Sequence, residues 1–362
     1  MTQSTNNIRS SYIIKTSCEE NNLDSSTRLI KQAAQRRNIE YKGVAFFEQK
    51  GLFHQIYTLK YKNKIHIMDV TRPDITSSIA STITINKELT KIFLKQNGLP
   101  CTDSEVFNNK EDAIKHFEKI NYPCVVKPID GGGGKGVSID IRNIEQLKIA
   151  IDESQKFSEY FLVEKMLEGQ DYRCLCIGGK VVSISRRVPP SVTGDGNSTI
   201  QELIDKINST RSDKRTGMLS KIPIDDPLKQ YLKSQNLTLD TKLESNKKVF
   251  VRQNANLNTG GYSINYTVNF LNKKTKEEIE RAAILSGLQV TGIDIICKDL
   301  SDELSENNGN IIEMNSKPRF RMHESPQEGK PVKVSEYLID LLFPETSSGV
   351  KSLEDNITEY NM

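Results

Sequence analysis

Two carboxylates and one amide, Asp294, Glu313 and Asn315, sit inside stretches that otherwise read as buried strands, Val290 to Ile296 and Ile311 to Asn315. Buried strands seldom carry carboxylates without a partner, because a charge removed from water is costly unless it is compensated. A period of two puts Glu313 and Asn315 on one face of their strand. If that strand pairs beside the one carrying Asp294, three oxygen donors converge. Such a set suits a hard cation, Mg²⁺, bridging nucleotide phosphates. Each residue taken alone reads more readily as part of a solvated strand face; the trio together points to the metal.

A second constellation is Lys127-Pro128-Ile129-Asp130-Gly131-Gly132-Gly133-Gly134-Lys135-Gly136-Val137, a strand running into a glycine loop and then another strand. Successive glycines let backbone N–H groups turn toward an anion, and Lys135 adds a charge where a polyphosphate would lie. No Ser or Thr follows the lysine, and a strand rather than a long helix comes next, so neither the P-loop nor the dinucleotide fingerprint is met. A third constellation runs from Val163 to Arg173. It suits a purine site in which Glu164 or Lys165 reads the base edge and Asp171 accepts from ribose hydroxyls. Taken in isolation it reads more readily as an ordinary charged strand–turn–strand.

The elements that must position these groups follow from periodicity. Ser25 to Arg37 reads as a helix. Val44 to Phe46, His54 to Tyr57 and Lys64 to Met68 read as short strands. Thr76 to Asn97 reads as one or two helices ended by Gly98 and Pro100. Strand, helix, strand, glycine loop, strand, helix and strand then follow up to Glu164. Tyr172 to Ile177 and Val181 to Arg187 face each other across Gly178-Gly179, a hairpin signal. Thr199 to Asn208 and Glu277 to Gly287 read as helices, the stretch to Lys248 as loop with short helices, and Val332 to Leu342 as a closing helix.

Composition sets the class. The chain has 362 residues, 36% hydrophobic and 27% charged, enough for two or three subdomains of a globular protein. A net charge of +3 makes no case for nucleic acid or a membrane surface, and no apolar run approaches a bilayer span. The polar start, Met1 to Ser10, does not read as a secretory leader. Six cysteines without a Cys-x-x-Cys pair read as reduced, buried thiols, with Cys174 and Cys176 on one strand face. The expected location is cytoplasmic, with no nucleic-acid or membrane partner.

Read in order, Lys127-Pro128 with its glycine loop, Glu164 to Arg173, Asp294 and Glu313-x-Asn315 resemble the ATP-grasp superfamily of carboxylate–amine ligases, most of all the ATP-grasp parts of cyanophycin synthetase and bifunctional glutathione synthetase. Arg187 to Ile200 is similar to their "RVPA-V-GDG-STI" segment, and Arg252 to Gly261 to "R--ANLSTGG". Arg321-Met322-His323 with Pro326, Gly329 and Leu342-Phe343-Pro344 is similar to "RMH--P--G----LFP". The likeness runs from about Thr76 to Pro344.

The resemblance implies an α+β fold in which two lobes hold ATP, preceded by a smaller α/β N-terminal domain. The expected divisions are 1–95, 96–185, 186–345 and a tail at 346–362. By resemblance, Lys87 and Lys127 contact phosphates beneath a loop that includes Gly133, Gly134, Lys135 and Gly136. Glu164, Lys165 and the backbone near Leu167 hold adenine, and Asp171 the ribose. Asp294, Glu313 and Asn315 carry Mg²⁺, with Mn²⁺ as an alternative. Arg187, Arg252 and Arg321 are the candidates for the substrate carboxylate and the charge of the tetrahedral intermediate. The implied reaction joins a carboxylate to an amine through an acyl phosphate, with amino acids or peptides as small-molecule substrates. Analogy extends to a homodimer.

The departures from the family pattern lie near the substrates. The expectation is a stand-alone ligase without the Mur-ligase-like domain of cyanophycin synthetase or the glutamate–cysteine ligase module of the glutathione enzyme. Pro318-Arg319 replaces the usual Pro-Gly, Asn86 stands for an Asp, and the stretch Arg215 to Met218 lacks a histidine that relatives tend to have. Glutathione-synthetase-like tripeptide formation, modification of a ribosomal peptide or protein, and a non-catalytic nucleotide-binding module remain alternatives to ligation of two small amino-acid-like substrates.

Overall fold

Asp24 caps the first helix, α1 (Ser25–Arg36), by accepting from the Ser26 N–H at 2.9 Å. In the computed structural model the residues described are 23–49, 52–120, 123–130, 136–212 and 219–347. Strands β1 (Glu40–Gln49), β2 (Leu52–Tyr61), β3 (Lys64–Asp69) and β4 (Arg72–Pro73) follow as an antiparallel meander in that order. β1 and β2 outrun the short apolar segments because their ladder continues from Glu40↔Lys60 to Gln49↔Leu52 through polar residues. Backbone pairing, which is blind to side-chain polarity, extends them. The N-terminal unit is therefore one helix on an antiparallel sheet.

Two helices follow, α2 (Ser78–Ile85) and α3 (Lys87–Gln96). They divide at Asn86, which has extended backbone and accepts from the Leu89 N–H at 2.9 Å. Asparagine caps a helix as well as aspartate does, so this departure from the family pattern leaves the start of α3 intact. The next lobe contains β5 (Ser104–Phe107), α4 (Lys110–Phe117), β6 (Cys124–Pro128), β7 (Ser138–Ile141), α5 (Ile144–Gln155) and β8 (Phe161–Lys165). Its sheet has the order β5-β8-β6-β7, and Ala113, Leu147 and Ile151 of the helices pack on Val126, Phe161 and Val163 of the strands.

The central sheet begins with the hairpin β9 (Gln170–Ile177) and β10 (Lys180–Val188). β11 (Ser191–Thr193), α6 (Ile200–Asn208), α7 (Asp226–Ser234) and β12 (Lys248–Phe250) form an inserted unit with its own apolar cluster, including Ile200, Ile204, Leu228 and Leu232. The chain then returns through β13 (Tyr262–Tyr266), α8 (Lys273–Ser286), β14 (Val290–Cys297) and β15 (Gly309–Asn315), completing the antiparallel order β13-β10-β9-β14-β15. Helices α9 (Arg321–Glu324) and α10 (Val334–Leu342) close it. α8 starts a turn before the expected Glu277, because Asn272 caps it at Lys273.

Alternation along β9 divides the apolar residues between two clusters. Cys174 and Cys176 face α3 and α8, whereas Leu175 and Ile177 face α1, α10 and the N-terminal sheet. The N-terminal unit thus shares a core with the central sheet. Strand β10 spans the position between 185 and 186 at which a lobe boundary was expected, and the sheet it belongs to begins at residue 170. Cys101, Cys124, Cys174, Cys176 and Cys297 are free thiols, and Cys18 lies outside the described residues. Among the described residues, no helix is long and apolar enough to cross a membrane.

Candidate active site

β14 and β15 pair antiparallel with Asp294 opposite Glu313 and Gly292 opposite Asn315. The strand pairing on which the three-ligand reading depended is therefore present. Asn315 Nδ2 donates to Glu313 Oε1 at 3.1 Å and approaches the Gly292 carbonyl at 3.4 Å, which orients the amide along the strand. Because the third donor is an amide, the trio is not a cluster of three His, Cys, Asp or Glu; no such cluster occurs among the described residues. The donor set is nonetheless all oxygen, two carboxylates and a carboxamide on neighbouring strands, and it fits a hard divalent cation.

Asp294 is almost fully buried, and its charge is compensated by two arginines. Arg173, its cross-strand neighbour on β9, donates through Nε to Oδ1 and through Nη2 to Oδ2 at 2.9 Å. Arg187 on β10 donates through Nη2 to Oδ2 at 2.9 Å and through Nε to Asp171 Oδ1 at 2.8 Å. Burial opposes the Arg187 charge, but Asp171 and Asp294 outweigh it and raise its pKa. Gly292 explains how Arg173 can lie there. A Cβ at 292 would come within 2.7 Å of Arg173 Cδ, so the missing side chain leaves the lane in which the guanidinium reaches Asp294. Arg187 thus connects the position expected at the ribose to a position expected at the metal.

A lysine cluster lies at the junction of α3 with β6 and β8. Lys87, at the first turn of α3, donates from its backbone to the Ile129 carbonyl at 3.4 Å and from Nζ to the Pro128 carbonyl at 3.2 Å. Its pKa is lowered by burial, against the pull of Glu313. Glu164 accepts from Lys127 Nζ on Oε1 at 2.5 Å and from Lys91 Nζ on Oε2. Burial alone would raise the Glu164 pKa; Lys127 and Lys91 outweigh it and hold the carboxyl at about 2. Glu164, read from the sequence as an adenine contact, therefore has both oxygens engaged by lysines here. Lys91 was not among the residues singled out from the sequence. The available signal was its position one helical turn beyond Lys87, on the same helix face.

Lys165 ends β8 with an exposed side chain, and Leu167 follows partly exposed in the crossing to β9. That crossing passes close over β14: Gly169 has φ +134°, and a Cβ there would overlap the Cys297 carbonyl group. Gly136 is described, whereas Gly133, Gly134 and Lys135 lie outside the described residues, as does the segment Arg215 to Met218.

The other two candidate arginines form hydrogen bonds with a different part of the chain. Arg252 donates through Nη2 to the Pro223 carbonyl at 3.0 Å and to Asp225 Oδ1. Arg321 donates through Nη2 to Ser220 Oγ at 3.2 Å and toward the Leu257 carbonyl at 3.4 Å. Burial, with Arg319 nearby, lowers the Arg321 pKa to about 10. Arg211 joins them by donating to the Ser220 and Gly260 carbonyls at 3.1 and 2.6 Å. Three guanidinium groups therefore gather around residues 220–225 and 257–260. Arg319, the large residue at a glycine position of the family, reaches the helix cap Asp24 at 3.2 Å and fastens the N-terminal unit to this region.

Behind Arg173 lies a buried polar layer. His323 Nδ1 is 3.0 Å from Ser185 Oγ and 2.9 Å from Ser183 Oγ, and Ser185 donates to Asn265 Oδ1. Burial and then the Arg173 charge lower the His323 pKa to about 3, so the imidazole is neutral in the fold. The unfolded chain would bind its proton near pH 6.5, so this contribution to stability is complete above pH 6.5 and is lost as pH falls through about 3. Stability in urea should fall by about 1 kcal/mol per pH unit through this window relative to His323→Asn. Equal slopes for the two proteins between pH 6.5 and 4.5 would contradict a neutral histidine. Glu324 and Glu278, both raised by burial, act with the opposite sign from 4.5 upward in both proteins.

The comparisons with known proteins agree with this architecture. The family description "D-ala D-ala ligase C-terminus" matches residues 93–208. Cyanophycin synthetase of Trichormus variabilis is 34% identical over 332 residues, covering 90% of this chain and 36% of that protein. The glutathione biosynthesis bifunctional protein GshAB of Clostridium perfringens is 30% identical over 327 residues, covering 89% of this chain and 41% of that protein. The crystal structure of a bifunctional glutathione synthetase from Pasteurella multocida superposes with a TM-score of 0.65 at 28% identity, covering 90% of this chain and 44% of that one. The chain thus spans less than half the length of each of these relatives.

Proposed function

The chain is an ATP-grasp protein, and we propose that it is an ATP-dependent ligase that joins a carboxylate to an amine. The observation that carries this reading is the cross-strand pair Asp294–Glu313 with Asn315 two residues on, electrostatically coupled through Glu313 to Lys87 of the lysine cluster. An oxygen-donor site beside two buried lysines, Lys91 and Lys127, and the partly buried Lys87 is what a polyphosphate with its divalent cations requires.

In this reading Lys87 and Lys127 bind the polyphosphate. Lys165 and the backbone near Leu167 border the adenine, and Asp171 accepts from the ribose. Asp294, Glu313 and Asn315 would hold Mg²⁺ or Mn²⁺, which when bound neutralises phosphate charge. A carboxylate oxygen of one substrate attacks the γ-phosphorus, the bond to the bridging oxygen of ADP breaks, and an acyl phosphate results. The amine of the second substrate attacks that carbonyl and loses a proton, and inorganic phosphate leaves. Arg187, Arg252 and Arg321 bind substrate carboxylate and the oxyanion of the intermediate. These side chains orient and neutralise; little covalent work falls to the protein.

The relatives' names speak of cyanophycin and glutathione synthesis, so the substrates to try first are amino acids and γ-glutamyl or aspartyl dipeptides. The test is release of ADP and phosphate from purified protein with ATP and Mg²⁺ across a matrix of such pairs. Release that requires one pair, with a product lighter than the sum of the substrates by one water, would establish the ligase. Silence across the matrix with ATP still bound would overturn ligation of small substrates.

A further inference from the structure

The two lysines on Glu164 differ in how completely they are used. An ammonium has three N–H donors. Lys91 Nζ places all three, on Glu164 Oε2, on Thr102 Oγ1 and on the Thr102 carbonyl at 3.4 Å. Lys127 is equally buried, yet among the described residues its Nζ meets only Glu164 Oε1, at 2.5 Å. Lys127 therefore keeps unused donors on a buried cation, on the strand that leads into the glycine loop, whereas Lys91 has none to offer a ligand.

We propose that Lys91 is a positioning residue for the polyphosphate: it anchors and neutralises Glu164, so that Lys127 is free to give its remaining donors to a phosphate oxygen. With Lys91 absent, Lys127 would be the only counter-ion of a buried carboxylate, and moving it toward a phosphate would strand that charge. The surroundings agree with such a division of labour. Lys91 is one turn from Lys87 on α3, so one helix carries both a residue proposed to touch phosphate and the residue that fixes the opposite wall. Thr102, between α3 and β5, hydrogen-bonds Lys91 and approaches Glu164 Oε2 at 3.4 Å, closing the cluster on the side away from Lys127. The inference rests on the nucleotide-binding reading above.

Inorganic tripolyphosphate separates the phosphate contacts from any contact of Glu164 with adenine, so it is the probe, with ATP measured alongside by calorimetry. Lys91→Met is expected to weaken tripolyphosphate binding roughly 100-fold, and Lys91→Arg, which keeps the charge, much less. Adding Glu164→Gln to Lys91→Met removes the stranded carboxylate and should restore most of the affinity, a rescue that a merely structural lysine does not predict. Lys91→Met binding like the wild type, or a double variant no better than Lys91→Met, would overturn the proposal. Should Lys91→Met not fold, Glu164→Gln alone decides: it releases Lys127 and should bind tripolyphosphate at least as tightly as the wild type, and weaker binding would count against the role of Lys91. A wild type that binds neither ATP nor tripolyphosphate would remove the nucleotide reading and this inference together; binding by the wild type without the variant effects would remove only this one.

Discussion

Glu313→Gln is expected to lower ADP release by about 1000-fold or more, with little change in the thermal midpoint. The substitution keeps the size of the side chain and leaves an amide oxygen that can still accept from Asn315 Nδ2, the contact Glu313 Oε1 makes at 3.1 Å. What it removes is one negative charge and one oxygen donor in the set proposed to hold the cations. Because Glu313 is only partly buried and no arginine is paired to it among the described ion pairs, the fold loses little. Steady-state ADP release and a thermal melt on the same preparation check both halves. Undiminished turnover would remove Glu313 from the metal site.

Asp294→Asn is expected to cost both activity and stability, and the contrast with Glu313 is the informative part. Asp294 is the shared anion of Arg173 and Arg187, two guanidinium groups that the fold has largely removed from water. Neutralising it leaves Arg173 without a counter-ion in the interior, and breaking a buried pair from one side costs about 3–5 kcal/mol. For a chain of this length that corresponds to a fall in thermal midpoint of roughly 4–7 °C. Adding Arg173→Met should recover much of the loss in stability while activity stays low, because a cation and an anion then disappear together. A midpoint for Asp294→Asn equal to the wild type would mean that these ion pairs do not carry the charge of Asp294.

The two substitutions expose how far the primary structure reached. Asp294, Glu313 and Asn315 stood out because charged and amide residues interrupted apolar strands, and burial without compensation is expensive wherever it occurs. That argument needs no coordinates. The hairpin across Gly178-Gly179, the helix between the glycine loop and Glu164, and the helical character of Thr76 to Asn97 were legible for a similar reason: turn residues, caps and periodicity are local properties of the chain. Strands β11, β12 and β13 were not foreseen. They are three to five residues long and acquire their strand character from partners such as Arg187↔Ser263 and Val192↔Val249, distant in sequence.

What a sequence of residues determined by itself here is which side chains carry chemistry and the order in which they come. Pairing decided the rest. Only the sheet order β13-β10-β9-β14-β15 brings Arg173 and Arg187, more than 100 positions upstream, onto one carboxylate. Only the packing of α3 against β6 and β8 puts Lys91 and Lys127 on opposite oxygens of Glu164. Likewise Arg319, which disturbs a family pattern on paper, turns out to fasten the N-terminal unit through Asp24, nearly 300 residues away. Charge compensation in a low-dielectric interior is settled by whichever group arrives within hydrogen-bond reach, and proximity of that kind is a property of the folded chain.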